Sequence, residues 1–370
     1  MPRTINTNAT SLHSEAVSTD EPKDLTGFSC PVPLPARERV LLGHGSGGRL
    51  SADLLRQIFL PALGNPILDR LDDQAVVSLN GIRLAVTTDS FVVKPLFFRG
   101  GNIGSLAVHG TINDLAMGGA EPLWLSAAFI LEEGLPLEIL KRVVDSMQEA
   151  AASAGVQIIT GDTKVVEKGS ADGLFINTTG IGRVRDGVSL SASNARPGDA
   201  ILVSGFLGDH GIAILAEREG LRFETQVDSD SAPLHDLVAH LLAGTREIRC
   251  LRDPTRGGLS STLNEIAAGS RVGMELDETA VPVREEVRGA CEMLGLDPLY
   301  VANEGKLVAI VAPSAAQDAL HALQNHPLGK NAAVIGRVTG EHARMVVVRT
   351  PLGTTRIVDM LAGDQLPRIC

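Results

Sequence analysis

Only 3% of this 370-residue chain is aromatic, although 44% is hydrophobic. Any core it builds must therefore be made of Val, Ile, Leu and Ala. Cores of that kind suit parallel or mixed sheets covered by helices. The length suits two domains, each large enough to bury a core of its own. The expected fold class is α/β: two α/β domains, each with helices on a mixed sheet.

Residues 1–38 are rich in Ser, Thr, Asn and Pro and end in a Pro-punctuated stretch. This composition buries too little surface to fold, so a disordered leader is expected. Order is expected from 39. A first domain runs to 195, where ARPGDA interrupts the chain, and a second spans 196–360. Residues 361–370 read as a mobile tail, since Gly363, Asp364 and Pro367 suit neither helix nor strand. AVVSLN and IRLAVTTDS predict two strands joined at Asn80-Gly81, a strong hairpin signal. GGNIGSLAVHGTINDLAMGGA predicts a helix closed by Gly118 and Gly119. PLWLSAAFIL predicts a buried strand, and VQIITGDTKVV a strand running into a loop.

The formal net charge of −11, with no run of Lys and Arg, argues against nucleic acid and anionic membranes as partners. No apolar stretch is long enough to cross a bilayer, and MPRTINTNAT lacks the apolar segment of a secretory signal. The expectation is a cytoplasmic protein. Cys30, Cys250, Cys291 and Cys370 fit no zinc spacing and are too few for a disulfide scaffold.

Acids stand at the ends of predicted elements or beside glycines: Asp72, Asp73, Asp89, Asp114, Asp162 and Asp253. Oxygen donors gathered this way can hold a hard cation such as Mg²⁺ together with phosphates. Each can equally cap a helix or turn. The glycine loop His44, Gly45, Ser46, Gly47 and Gly48 can wrap phosphates with its N–H groups, yet it lacks the GK[ST] of a Walker loop. Lys164 is either a phosphate contact or a surface charge, and Glu304 either a buried base or a turn acid. Cys370 is the last residue, so its thiol reads as the reactive end of a swinging arm. The adjacent terminal carboxylate should disfavour the thiolate, and Arg368 is positioned to offset that.

The ordered set GHGSGG, DDQAVV, TTDS, GTINDLAMGGAEP, TGDTKVVEKG, RDPTRGGL, ANEGKL and terminal PRIC resembles the HypE family of hydrogenase maturation factors, from about residue 39 to the end. The wider superfamily contains aminoimidazole ribonucleotide synthetase, selenophosphate synthetase and thiamine-phosphate kinase. The resemblance implies a homodimer paired through the N-terminal sheets, with ATP and Mg²⁺ in a cleft near that interface. It also implies that a carbamoyltransferase, HypF, loads a carbamoyl group onto the terminal Cys. An ATP-dependent dehydration then makes a thiocyanate, and the cyano group passes to iron on a HypC–HypD complex for [NiFe] hydrogenase. By motif, Asp73, Asp89, Asp114 and Asp253 correspond to metal-holding acids. Lys164, Glu304 and Cys370 correspond to catalytic positions. The loop from His44 to Gly48, with Asn113 and Asp162, corresponds to nucleotide-binding positions, and His109 lies in the same stretch.

Two other readings compete. A non-catalytic cysteine carrier would need no set of acids. A selenophosphate synthetase-like kinase would carry Cys or selenocysteine in the glycine loop, which here reads GHGSGGR.

Overall fold

The computed structural model describes residues 39–221, 226–363 and 368–370. The leader expected at 1–38 lies outside these residues. Leu41–Cys370 forms one compact unit built around two mixed sheets.

The first sheet has five strands: β1 (Ala75–Leu79), β2 (Ile82–Phe91), β3 (Ala120–Glu132), β4 (Gln157–Val166) and β5 (Leu174–Val184). Their order across the sheet is β1-β2-β5-β3-β4. The β1–β2 hairpin turns at Asn80-Gly81 as the sequence predicts, with both residues at positive φ (49° and 84°). Strand β4 runs parallel to β3, which requires a crossover, supplied by helix α2 (Leu137–Ser153).

Helix α1 (Ile103–Met117) lies against this sheet. It starts where the Asn102 side chain accepts from the N–H groups of Gly104 and Ser105, at 2.8 and 3.3 Å, and ends at Gly118. Nearly all of it is buried. Ile103, Leu106 and Ile112 join a core with Phe91, Leu125, Val143 and Ile176. Ala116 and Met117 join a different core, with Leu202, Leu234 and Leu237. This explains why α1 is apolar on all sides: it is shared between the two halves of the unit.

The second sheet has seven strands: β6 (Ala200–Val203), β7 (Ile248–Arg252), β8 (Gly273–Asp277), β9 (Val308–Val311), β10 (Ala333–Thr339), β11 (Val346–Arg349) and β12 (Thr355–Val358). The order is β12-β11-β8-β10-β6-β9-β7. Five helices accompany it: α3 (Asp209–Glu219), α4 (His235–Gly244), α5 (Gly258–Ser270), α6 (Glu285–Leu294) and α7 (Ala316–Gln324). Val, Ile, Leu and Ala dominate its cores, as the scarcity of aromatics requires.

One strand reading is corrected. β3 is not buried throughout: its alternation leaves Trp124 and Ile130 exposed on one face. β4 ends at Val166, where the chain turns into a loop as VQIITGDTKVV predicts, and it is exposed along almost its whole length. A run of apolar residues in such a strand is not diagnostic of burial, because Ile159 and Val165 sit on an open sheet edge.

Candidate active site

A cavity of about 260 Å³ opens where the first sheet, α1 and the loops of the second sheet meet. Asp73 enters from just before β1, Asp89 from β2, Asp114 from the last turn of α1, and Asp253 from the loop after β7. Glu304 and Cys370 complete its acidic and sulfur-bearing wall. Residues from six separate segments of the sequence thus face one space.

The acids push one another's carboxyls upward. Burial and the negative charge of Asp253, Asp89 and Asp73 raise Asp114 well above the usual carboxylate range, against a 2.8 Å hydrogen bond from the Thr87 hydroxyl. Burial, then Asp73, raises Asp253 to about 8. Burial raises Asp73 to about 6, although Arg252 opposes this from 2.7 Å. Burial raises Asp89, with Arg256 and the Ser90 N–H opposing. Burial, followed by Asp253 and Asp89, raises Glu304 well above its ordinary value. Glu304 is 2% exposed and its Oε1 has no hydrogen-bond partner.

The Glu304 loop is tightly fixed. The Glu304 N–H donates to Asp230 Oδ1 at 3.0 Å, and Asn303 Nδ2 donates to the Pro254 carbonyl at 2.9 Å. Asn303 so ties the loop carrying Glu304 to the loop carrying Asp253. At Gly305 a Cβ would lie 1.7 Å from the Asp230 carbonyl oxygen, so only glycine fits.

Cys370 is buried, and Ile369 beside it is buried as well. The terminus therefore rests inside the cleft, while 364–367 of the expected tail lie outside the described residues. Burial drives the thiol pKa up, and Arg256 counters it ahead of the opposing charges of Glu304, Asp89 and Asp253. The expectation for Arg368 is overturned: its guanidinium turns to Asp172 and the Val92 carbonyl. Arg256 is the cation that acts on the thiol. Arg256 and Cys370 also line a second cavity of about 270 Å³, together with Gly45 and Ser46.

The glycine loop divides between these spaces. Gly47 borders the acid cavity at φ +73°, where a Cβ would lie 2.7 Å from the Arg256 carbonyl oxygen. Gly48 is buried where a Cβ would meet the Leu361 carbonyl oxygen at 2.2 Å. His44 Nδ1 accepts from the Leu41 N–H at 2.9 Å, within its own turn.

Five expected site residues line neither cavity: His44 and Gly48 of the glycine loop, Asn113, Asp162 and Lys164. Asn113 is wholly buried. Its amide donates to the Ala232 and Glu304 carbonyls at 3.1 and 3.2 Å and accepts from the Leu234 N–H at 2.8 Å, which leaves it a strut rather than a lining group. Asp162 and Lys164 pair with each other at 2.6 Å on the exposed strand β4. Asp162 borders a groove between β4 and α2 instead. His109 contacts Ser231 Oγ at 3.0 Å. Asp72, which accepts from Ser191 Oγ and the Ala192 N–H at 2.9 and 3.0 Å, is a local brace. Arg252 and Arg256 were missed by reading acids alone, although both flank Asp253 in RDPTRGG.

An all-oxygen donor set with mutually raised carboxyls fits a hard divalent cation. Among the described residues no three His, Cys, Asp or Glu side chains already form a closed cage. That is compatible with Mg²⁺, which keeps waters and substrate phosphates in its shell. Also among the described residues, no helix is long and apolar enough to cross a membrane.

Residues 71–184 match the family described as AIR synthase related protein, N-terminal domain, and residues 196–348 match AIR synthase related protein, C-terminal domain. The fold and cleft are those of an AIR synthase-related protein. Carbamoyl dehydratase HypE of Azotobacter vinelandii is 59% identical over 327 residues, covering 88% of this chain and 96% of the relative. The crystal structure of a HypE–HypF complex includes a chain 50% identical, with a TM-score of 0.80, covering 83% of this chain and 99% of that one. HypE in complex with ATP is 54% identical, with a TM-score of 0.76, covering 90% and 100%. The chain belongs to the HypE family.

Proposed function

We propose that the chain is an ATP-dependent carbamoyl dehydratase acting on a carbamoyl group carried by its own Cys370. The observation that carries this reading is the Cys370 sulfur on the wall of the acid cavity, beside Glu304 and Arg256. The relatives' name and the ATP-bound relative support it.

The chemistry explains the residues. The carbamoyl oxygen of the S-carbamoyl group attacks the γ-phosphorus of ATP, and ADP departs. The C–O bond then breaks, with the oxygen leaving as phosphate. The nitrogen gives up both protons, and its electrons complete the C≡N bond of the thiocyanate. Glu304, basic because burial disfavours its charge, is placed to accept a proton. Arg256 offsets developing negative charge beside the sulfur. Asp73, Asp89, Asp114 and Asp253 would hold Mg²⁺, which supplies charge neutralisation to the phosphates of ATP. A thiol whose ionisation is suppressed is a poor nucleophile in this seat. A thiocarbamate, being neutral, suits it, so loading belongs outside the cleft and dehydration inside.

The loading partner in this reading is the carbamoyltransferase HypF, in keeping with the HypE–HypF complex. The cyano group then passes to iron on HypC–HypD for [NiFe] hydrogenase, in the cytoplasm. A homodimer forms along exposed β4, and Asp162 and Lys164 contribute once a second copy lies against that edge. The phosphates of ATP lie under the loop from His44 to Gly48.

Glu304→Gln tests the reading. The variant should accept the carbamoyl group normally and lose about 10²–10⁴-fold in dehydration rate, the range typical of a general base. Single-turnover phosphate release from loaded protein measures this, and an unchanged rate removes Glu304 from proton transfer.

A further inference from the structure

The last three residues are held by contacts lying outside the acid cavity. The Val92 N–H donates to the Cys370 carboxyl group at 2.9 Å, and the Lys94 N–H donates to the Arg368 carbonyl at 3.2 Å. Arg368 Nε returns a bond to the Val92 carbonyl at 2.9 Å. The pairing of 92 with 370 and 94 with 368 is antiparallel, so the terminus lies alongside the segment just beyond β2 without becoming a strand of the sheet. Ile369 joins the apolar cluster that includes Phe98, Ile214 and Ala302, which fixes which way its neighbours face. His210 Nε2 lies 2.8 Å from the Ile369 carbonyl. A carbonyl only accepts, so that nitrogen carries the proton, and the Ser229 hydroxyl donates to Nδ1 at 2.8 Å.

One charged group closes this arrangement. Asp172, in the turn before β5, accepts from Arg368 Nη1 and pairs with Lys94 Nζ at 2.9 Å through the same oxygen. Both cations hold its carboxyl below the usual range, Lys94 more than Arg368. Arg218 bonds both the Lys94 and Arg368 carbonyls from the other side, at 2.7 and 2.8 Å. Backbone pairing of three residues and one buried Ile would leave a terminus free to fray. The ion pair fastens it at the residue two before the sulfur.

We propose that Asp172 is a positioning residue for the reaction: with Lys94 it clamps Arg368 and so holds the Cys370 sulfur at the acid cavity. This rests on the reading that Cys370 carries the reacting group, but the clamp itself is testable without it. Asp172 lines neither cavity that contains the sulfur, so its removal leaves the acids and Arg256 in place.

The experiment is native alkylation of the full chain by iodoacetamide, followed at each cysteine by mass spectrometry, with wild type, Asp172→Asn and the charge swap Asp172→Lys/Arg368→Glu. Buried Cys250 and Cys291 report on the fold. The clamp predicts that Asp172→Asn alkylates Cys370 about fivefold faster, as suits a partly exposed charge-assisted pair. Cys250 and Cys291 should stay at wild-type rates, and the swap should return Cys370 toward wild type. ATP-driven dehydration of loaded Asp172→Asn should slow by a similar factor without a change in its ATP dependence. An unchanged Cys370 rate in Asp172→Asn overturns the clamp, as does a swap as reactive as the single variant. Where alkylation follows the swap but no protein, wild type included, converts its carbamoyl group, the dehydratase reading fails and the clamp stands.

Discussion

Asp253 shows how much of this site depends on groups held against their solution behaviour. Its carboxyl ordinarily loses its proton near 3.8 but keeps it to about 8 in the fold, chiefly because of burial and then Asp73. Asp73 shifts to about 6 for the same leading reason. The unfolded chain releases both protons near pH 4, whereas the folded chain holds them longer. Their contribution to stability is therefore full below about pH 4 and is lost as pH rises through about 6 and 8. The thermal midpoint of ligand-free protein should fall between pH 5 and pH 8. Asp253→Asn, which cannot ionise, should flatten that fall, and a wild-type slope in the variant would show that the acids do not share one field. Mg²⁺ with ATP should raise the midpoint most at the alkaline end, where the carboxylates are charged and unneutralised.

At the scale of elements, β4 is the piece whose own chain does not satisfy it. It is an edge strand with Ile158, Ile159 and Val165 exposed, and a long apolar edge invites pairing. Trp124 and Ile130 on the neighbouring β3 extend the open apolar surface. Dimerisation through this face predicts that Val165→Glu weakens self-association at least about tenfold, equivalent to about 1.4 kcal/mol. Sedimentation velocity across a concentration series measures it. A variant that stays as dimeric as wild type places the interface elsewhere. A monomeric variant should also lose dehydration, since Asp162 and Lys164 sit outside the cavity of their own chain.

For the whole molecule, the sequence carried the fold class well and the site unevenly. The mixed sheets follow from a Val-, Ile- and Leu-rich core, and the β1–β2 turn follows from Asn80-Gly81. Strands β7, β8, β10 and β12 are not legible in the sequence, because short strands carry too few residues to show a period. Asp73, Asp89, Asp114, Asp253, Glu304 and Cys370 were each visible as a residue type beside a glycine or at a segment end. Their convergence was not visible from spacing, since it depends on α1 being shared between two cores. Arg256 escapes because a lone Arg has no local pattern, and Asn113, next to the cavity-lining Asp114, spends its amide on backbone partners that its place in the sequence does not show. The seating of the terminus was illegible for the same reason: antiparallel pairing of 92 with 370 is a tertiary fact.

The central claim is that Cys370 carries the group being dehydrated. The direct test is intact-protein mass spectrometry after incubation with HypF and its substrates, before and after addition of ATP with Mg²⁺, with fragmentation to locate the modification. The account predicts a carbamoyl adduct on Cys370 that loses the mass of one water molecule when ATP is added. An adduct on Cys370 that ATP leaves unchanged, or a terminus that an active HypF never modifies, would contradict it.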